Sequence, residues 1–509
     1  MFPHLAINQQ THNTIHASHH PALYPKMTIS TTALLLLLTA TATAFCLQEM
    51  ELLQMAQTQV SMNKNWVGNS MRLHGLESLS LSNQTSVALS DCAKLYGDSE
   101  SRLSYMISDK NIYTKEDALT WISAVMTNHR TCLDGLHQKG YVEAQILDKN
   151  LTMFLGKALD LYAKNKGKPK EPPPILVSSN TLLASWSRAT SKADFTVAQD
   201  GSGTYRTITE AVEAVASMGH NRPGRTVIYV KSGVYHEKVE IGKKLHNLMF
   251  VGDGIDKTIV TGSRNYVQGS TTLASATFDV SGDGFWARDM TFENTAGPEK
   301  HQAVALKVSS DLSIFYRCSF RAYQDTLYVH SNRQFYRDCH IYGTIDFIFG
   351  DATVIFQNCD IFVRKPMTHQ TNFITAQGRD DPNKNTGISI HGCRVRPASE
   401  FVVARDNSLK TFLGRPWKKY SRTVFLKSDL DGLVHPRGWG EWEGDFALST
   451  LYYAEYMNTG NGASTQNRVN WPGFHVLNSA SEAAPFTASR FLEGDRWIPA
   501  SGVPFWSGI

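Results

Sequence analysis

Cys318–Cys359 reads CSFRAYQDTLYVHSNRQFYRDCHIYGTIDFIFGDATVIFQNC, and its cysteines mark a repeat. FYRCSF surrounds Cys318, FYRDCHI surrounds Cys339 and FQNCDI surrounds Cys359, at steps of 21 and 20 residues. A looser copy, IHGCRV, surrounds Cys393. An apolar-x-x-Cys-x-apolar unit recurring with turn residues between marks the coils of a solenoid, each too small to bury a core alone. Two carboxylates share the repeat: Asp325 follows Cys318 by seven residues, and Asp346 follows Cys339 by seven. Coils stacked in register put them at equivalent places on neighbouring turns, about 4.8 Å apart. Carboxylates that close cannot cheaply both ionise, so one holds its proton to higher pH. Aspartates also decorate solenoid turns with no chemistry attached, so the pair gains meaning only from its neighbours.

Outward from this stretch, short β-rich runs alternate with Gly, Asn and Asp from TVIYVKSGVY through NLMFVGDG and TIVTG to about residue 475. That pattern favours a parallel β-helix over a β-sandwich. Near its start, Thr207 and Glu210 form a capping box for a short helix with Ile208, Ala211, Val212 and Val215 on its apolar face, placed to close the open end of the coils. Residues 47–165 read as an all-α domain, a four-helix bundle. Thr114-x-x-Asp117 starts one helix, which carries Ala118, Leu119, Trp121, Ile122, Val125 and Met126 on a broad apolar face. KNKGKPKEPPP opens a linker over 166–192, and the β domain fills 193–509.

A net charge of +4 suits an acidic polymer partner and is too small to argue nucleic acid. Residues 27–44 read as a secretory signal: Lys26, an apolar run too short to span a bilayer, then Ala42-Thr43-Ala44. Residues 1–26 form a leader with no core pattern, consistent with translation from Met27. Secretion permits disulfides. Cys339 with Cys359, at matching positions of consecutive coils, is the expected bridge, and Cys92 with Cys132 is a second candidate between two helices. Asn83 and Asn150 head sequons. No C-x-x-C and no H-E-x-x-H occurs, so neither a metal nor another cofactor is expected.

The motifs HQAVAL (301–306), YQDTLY (323–328), GTIDFIFG (343–350) and LGRPWKKYSRTV (413–424) resemble the plant-type pectin methylesterases. DGSGTYRTITEAV and GWGEWEGDFALSTLYYAEYMNTG extend the likeness over about residues 193–505. ALSDCAKLY and TNHRTCLDGL resemble the inhibitor-type pro-domain of that family, although its usual early cysteine pair is absent. The resemblance implies a right-handed parallel β-helix and hydrolysis of the C6 methyl ester of galacturonate in pectin. It further implies Asp346 as nucleophile, Asp325 as acid then base, Gln302 and Gln324 as oxyanion donors, and Arg415 as the partner of Asp346. Thr272 and Trp417, with Gln302 and Arg415, would contact substrate. Localisation in the cell wall and a monomeric enzyme follow from the same likeness.

The residue types fit that chemistry independently. Neutral amides suit a tetrahedral oxyanion, and a guanidinium keeps one carboxylate ionised while the other retains a proton. A glycosidase that cuts the galacturonan chain also uses two carboxyls about 5–5.5 Å apart, but glutamines beside the pair point to an ester. No G-x-S-x-G supports a serine hydrolase. A non-catalytic pectin binder is the third reading. The bundle, folded back over the groove, would act as an autoinhibitor, and separate inhibitor proteins are further candidate partners. Only single basic residues, Arg188 and Lys192, lie near the boundary, where the family commonly carries dibasic processing sites.

Overall fold

The computed structural model describes residues 31–76, 83–108, 110–141, 147, 149–164, 183–404 and 409–509. It divides into two compact units, 1–48 and 49–509. Of the first, residues 31–48 are helical; the leader 1–26 and the start of the signal-like segment lie outside the described residues. Among the described residues no helix is long and apolar enough to cross a membrane.

Four helices precede the β region: α1 (Thr31–Leu76), α2 (Asn83–Ile107), α3 (Lys115–Gln138) and α4 (Lys149–Lys164). The capping box at the start of α3 forms in both directions between Thr114 and Asp117. Buried residues recur mainly every third or fourth position along α2 and α4, as in Leu89, Cys92 and Tyr96 or Leu151, Leu155 and Leu159, the stripe a bundle requires. In α3, by contrast, Asp117 to His129 is buried without interruption, because the helix is covered on two sides. The bundle core gathers Leu53, Leu89, Tyr96, Ile122, Leu155 and their neighbours, and Leu273 of the β region inserts into it. Cys92 on α2 and Cys132 on α3 form a disulfide, with Cα atoms 4.7 Å apart.

From Phe195 onward the chain winds as a parallel β-helix. Its strands form three sheets, of eleven, seven and eight strands among the described residues, and every pairing between successive coils is parallel. The cysteine repeat is the coil repeat: Ser319, His340, Asp360 and Arg394, each following a repeat cysteine, pair in register. The step of 34 residues from Cys359 to Cys393 is long because two loops, 364–371 and 378–386, are inserted in that coil. Like stacks on like within the coils, as in the stacked rings of Phe315, Tyr336 and Phe356. The core of this part draws on residues from Val197 onward and on no helix of the bundle. The short helix α5 (Ile208–Ser217) keeps the Thr207–Glu210 capping box and seals one end with Ile208, Ala211, Val212 and Val215.

Two expectations change. Cys339 and Cys359 are not bridged; with Cys318 and Cys393 they are buried free thiols. Equivalent positions on parallel coils hold Cβ vectors side by side at the rung spacing, whereas a disulfide needs them converging to about 3.8 Å. Each thiol instead points to backbone carbonyls, Cys339 to Phe315 and Arg337, Cys359 to Tyr336 and Gln357. Secondly, the end of the stretch read as linker is docked: Leu183 and Trp186 are buried against Tyr229 and Trp286. Arg288 donates to the carbonyls of Leu183, Ala184 and Trp186. Residues 165–182 lie outside the described residues.

Candidate active site

Coil stacking brings the two aspartates together. Leu327 pairs with Ile348, so Asp325 and Asp346, each two residues earlier, hold equivalent places on adjacent coils. The Asp325 N–H donates to the Ile345 carbonyl at 3.0 Å. Both have left-handed backbone, φ 64° and 52°. Aspartate tolerates that region better than most residues, yet a non-glycine there carries a cost of order 1 kcal/mol or more, which the register around it must hold.

Arg415 enters from the LGRPW turn and grips Asp346 with both arms, Nε to Oδ1 at 2.8 Å and Nη2 to Oδ2 at 2.6 Å. Its guanidinium is layered between Phe373 and Trp442, 4.4 and 4.3 Å from their centroids, and so cannot swing away. Burial and the charge of Asp346 push the Asp325 carboxyl well above its ordinary range, and Arg415 only partly opposes this. Burial also raises Asp346, and here the direct bonds from Arg415 oppose it. Asp325 is thereby pushed further toward its protonated form than Asp346, which alone receives direct bonds from the cation.

A cavity of about 260 Å³ opens above the pair. Gln302, Gln324, Thr272 and Trp417 line it, so it gathers the sequence-expected residues on one surface. Gln302 Oε1 is buried with no hydrogen-bond partner among the described residues. The floor is aromatic: Tyr328 stacks on Phe349 at 4.2 Å, and Trp417 and Trp442 pack against them. Trp442 was not singled out from sequence, although the GWGEWEG stretch that carries it was.

The roof comes from the helices. Asp91 of α2 and Thr131, Asp134, Gly135 and Gln138 of α3 line the same cavity. Asp91 accepts a hydrogen bond from Thr271, the neighbour of Thr272; burial pushes its carboxyl up to about 6, with that bond opposing. Asp134 pairs with Lys418 at 2.8 Å, and the Thr131 hydroxyl meets His330 Nε2 at 2.9 Å. Along the groove the helices continue in the same manner: Lys94 to Asp279 (2.5 Å), Arg102 to Asp283 (2.6 Å), Asp117 to Arg333 (2.7 Å), Trp121 Nε1 to Asp311 (2.8 Å). The interface is thus made of ion pairs and hydrogen bonds, with Leu273 as an apolar residue buried in the bundle core. Among the described residues no group of acidic, His or Cys side chains is arranged to hold a metal ion. Asn150, at the head of α4, is exposed; the side chain of Asn83 lies outside what is described.

A family model described as pectinesterase matches residues 194–495, and one described as plant invertase/pectin methylesterase inhibitor matches 26–161. The chain is 54% identical over 505 residues to "Probable pectinesterase/pectinesterase inhibitor 36" of Arabidopsis thaliana, covering 93% of this chain and 97% of that one. It is 51% identical to "Pectinesterase 2" of Citrus sinensis, covering 86% and 85%. Among solved structures it is similar to the pectin methylesterase from carrot, at 53% identity and a TM-score of 0.61. That match covers 62% of this chain and 98% of the carrot chain. A pectin methylesterase from Aspergillus niger matches at 31% identity and a TM-score of 0.51, covering 60% and 94%.

Proposed function

The chain belongs to the pectinesterase family, and from that premise we propose that it hydrolyses C6 methyl esters of homogalacturonan, releasing methanol and leaving pectate. The observation that carries the assignment of roles is the bidentate Arg415–Asp346 pair beside an Asp325 that has no such partner among the described residues. Asp346, ionised, attacks the ester carbonyl carbon. The carbonyl electrons move onto oxygen, and the Gln302 and Gln324 amides donate to that oxyanion. As the tetrahedral intermediate collapses, the C–OCH₃ bond breaks and Asp325 gives its proton to the departing methoxide, forming methanol. An anhydride now joins Asp346 to C6. Asp325, now a carboxylate, takes a proton from water; the hydroxide attacks the anhydride carbonyl of C6, the bond to Asp346 breaks, both aspartates are restored, and the galacturonic acid released gives its own proton to solvent. Trp417, Trp442 and Thr272 border the space where the sugar would lie.

The glycosidase reading is disfavoured by the same geometry. Water attacking an acetal builds no oxyanion, so the Gln302 and Gln324 amides that line the cavity beside the pair would have no charge to serve. The signal-like segment 27–44 supports secretion to the cell wall. The helical roof supports a restrained full-length form, because Asp134, Gly135 and Gln138 of α3 line the same cavity that a polymer must enter to meet Asp346.

One experiment tests the whole. Methanol release from methyl-esterified pectin is measured for the full chain, for residues 183–509, and for 183–509 carrying Asp346→Ala. The fragment starts at Leu183 so that Trp186 keeps its seat on the β-helix. The expected order is a fast fragment, a slow full chain, and a variant slower than its parent by about 10⁴-fold or more. New reducing ends without methanol would mean a glycosidase. Equal rates for full chain and fragment would remove the restraint.

A further inference from the structure

The turn that carries Gln324 and Asp325 is gripped from behind. Residues 322–326 link the strands Ser319–Arg321 and Leu327–Val329. Gln324 and Asp325 line the catalytic cavity, whereas Tyr323 lines a separate cavity of about 510 Å³. The turn is therefore the wall between the two spaces. On the catalytic side Asp346 is clamped by Arg415, but the Asp325 carboxyl has no such clamp among the described residues. The aim of Asp325 thus rests on its backbone.

Arg364 supplies the grip. It opens the inserted loop 364–371 and lines the second cavity, not the catalytic one. Its Nη1 donates to the Ala322 carbonyl at 3.0 Å, and its Nη2 donates to the Tyr323 hydroxyl at 2.8 Å. The guanidinium carbon lies 3.8 Å from the centroid of the Tyr323 ring. Nε donates to Glu400 at 2.6 Å, which holds the fork from its far side. The Arg364 N–H donates to the Gly343 carbonyl at 2.8 Å, tying its backbone to the coil that leads into Asp346. A planar fork bonded at three points fixes the direction of each bond, which a single flexible ammonium does not.

The left-handed backbone of Asp325, φ 64°, persists only while its surroundings hold it. At the exit of the turn, bonds between coils do this: the Asp325 N–H donates to Ile345, and the Ala305 N–H donates to the Thr326 carbonyl. At the entry, the Thr344 N–H holds the Tyr323 carbonyl and Arg364 holds both the Ala322 carbonyl and the Tyr323 side chain. We propose that Arg364 is a positioning residue for the reaction: bonding Ala322 and Tyr323 from outside the catalytic cavity, it sets the angle at which Gln324 and Asp325 enter that cavity. The proposal rests on the esterase reading. One lever then carries the proton donor and an oxyanion donor together, and a shift of about 1 Å in such groups costs about 10²-fold in rate. Arg364 itself lies behind the wall, so the polymer binds as before when it is removed.

The test compares the full chain with its variants by methanol release from methyl-esterified pectin. Arg364→Ala is expected to lower kcat by about 10²-fold while KM stays within about twofold of the parent. The Arg364 side chain is 22% exposed beside an open cavity, so its vacated place can admit a small cation. Millimolar guanidinium chloride therefore restores kcat of the Ala variant several-fold, and sodium chloride at the same ionic strength does not. Tyr323→Phe, which removes one bond and keeps the ring, is expected to lose about tenfold in kcat, the size of one charge-assisted hydrogen bond. Should the Ala variant lose its β-sheet circular dichroism, Tyr323→Phe carries the comparison of kcat with KM. A folded variant with the parental kcat, a loss confined to KM, or a loss in Arg364→Ala that guanidinium leaves unchanged overturns the proposal. No methanol from the parent, either as the full chain or as residues 183–509, would instead overturn the esterase reading beneath it.

Discussion

The helical and β-helical parts of this protein bring residues together by opposite rules. Coils of the solenoid repeat one geometry, so identical side chains lie parallel: thiol beside thiol, ring on ring, Asp325 beside Asp346. Antiparallel-type packing of helices sets faces against each other, so complementary groups converge: Cys92 on Cys132, and across the interface Asp134 on Lys418 and Lys94 on Asp279. Parallel stacking leaves equivalent cysteines unbridged, and it sets two equivalent carboxylates where the charge of one raises the other. Chemistry at this site thus grows out of a repulsion that the fold enforces, and its cover grows out of attractions.

The comparison is sharpened most strongly at the amides. If the stacked site works through an oxyanion, Gln302→Ala lowers kcat of the 183–509 fragment by about 10²–10³-fold with little change in KM. A loss confined to KM would make Gln302 a binding residue. The cysteines come next. Cys92→Ser with Cys132→Ser removes a cross-link spanning 40 residues and lowers the stability of the helical part by about 2–4 kcal/mol. A reducing agent added to the unmodified chain reproduces that loss and leaves the thermal transition of the β-helix where it was, since its cysteines carry no bridge. A reductant-sensitive β-helix would break the distinction.

What was legible in the sequence follows the same division. A repeat is local information: the Cys steps, the seven-residue offset to each aspartate and the two capping boxes are read within short windows, and the coils reproduce them. The error over Cys339 and Cys359 came from reading equivalent position as facing position; in a parallel ladder equivalence means the two side chains point the same way. Contacts between the two parts were not legible, because nothing in a helix period says which residue meets a turn 284 positions later, as Asp134 meets Lys418. Leu273 illustrates the point: in its own neighbourhood, GSTTLASA, it reads as a loop residue, yet it is buried in the core of the bundle. Trp442 was missed for a related reason: its role depends on Arg415 lying against it, and no spacing encodes that.

The finest test concerns the ionisation of the stacked pair. The proposed mechanism needs Asp346 ionised and Asp325 protonated, so on that reading the rate rises with pH as the first loses its proton and falls as the second does. The two steps belong to the pair as a whole, and a bell-shaped profile reports them as such. Burial raises both carboxyls, the charge of Asp346 raises Asp325 further, and Arg415 pulls both down, Asp346 through direct bonds and Asp325 through its charge alone. Replacing the cation, Arg415→Gln, therefore moves both limbs of kcat/KM toward higher pH. The acid limb moves further, by about 1–3 units for a charge in direct contact, and the bell narrows. The residual rate of the variant is measured by methanol release from pH 4 to 10. Movement of the alkaline limb alone would mean that the carboxylate held by Arg415 is not the one that must ionise, and the roles of Asp325 and Asp346 would have to be exchanged. Immobility of both limbs would mean that the aspartates set their own order by stacking, with the guanidinium serving only to aim Asp346.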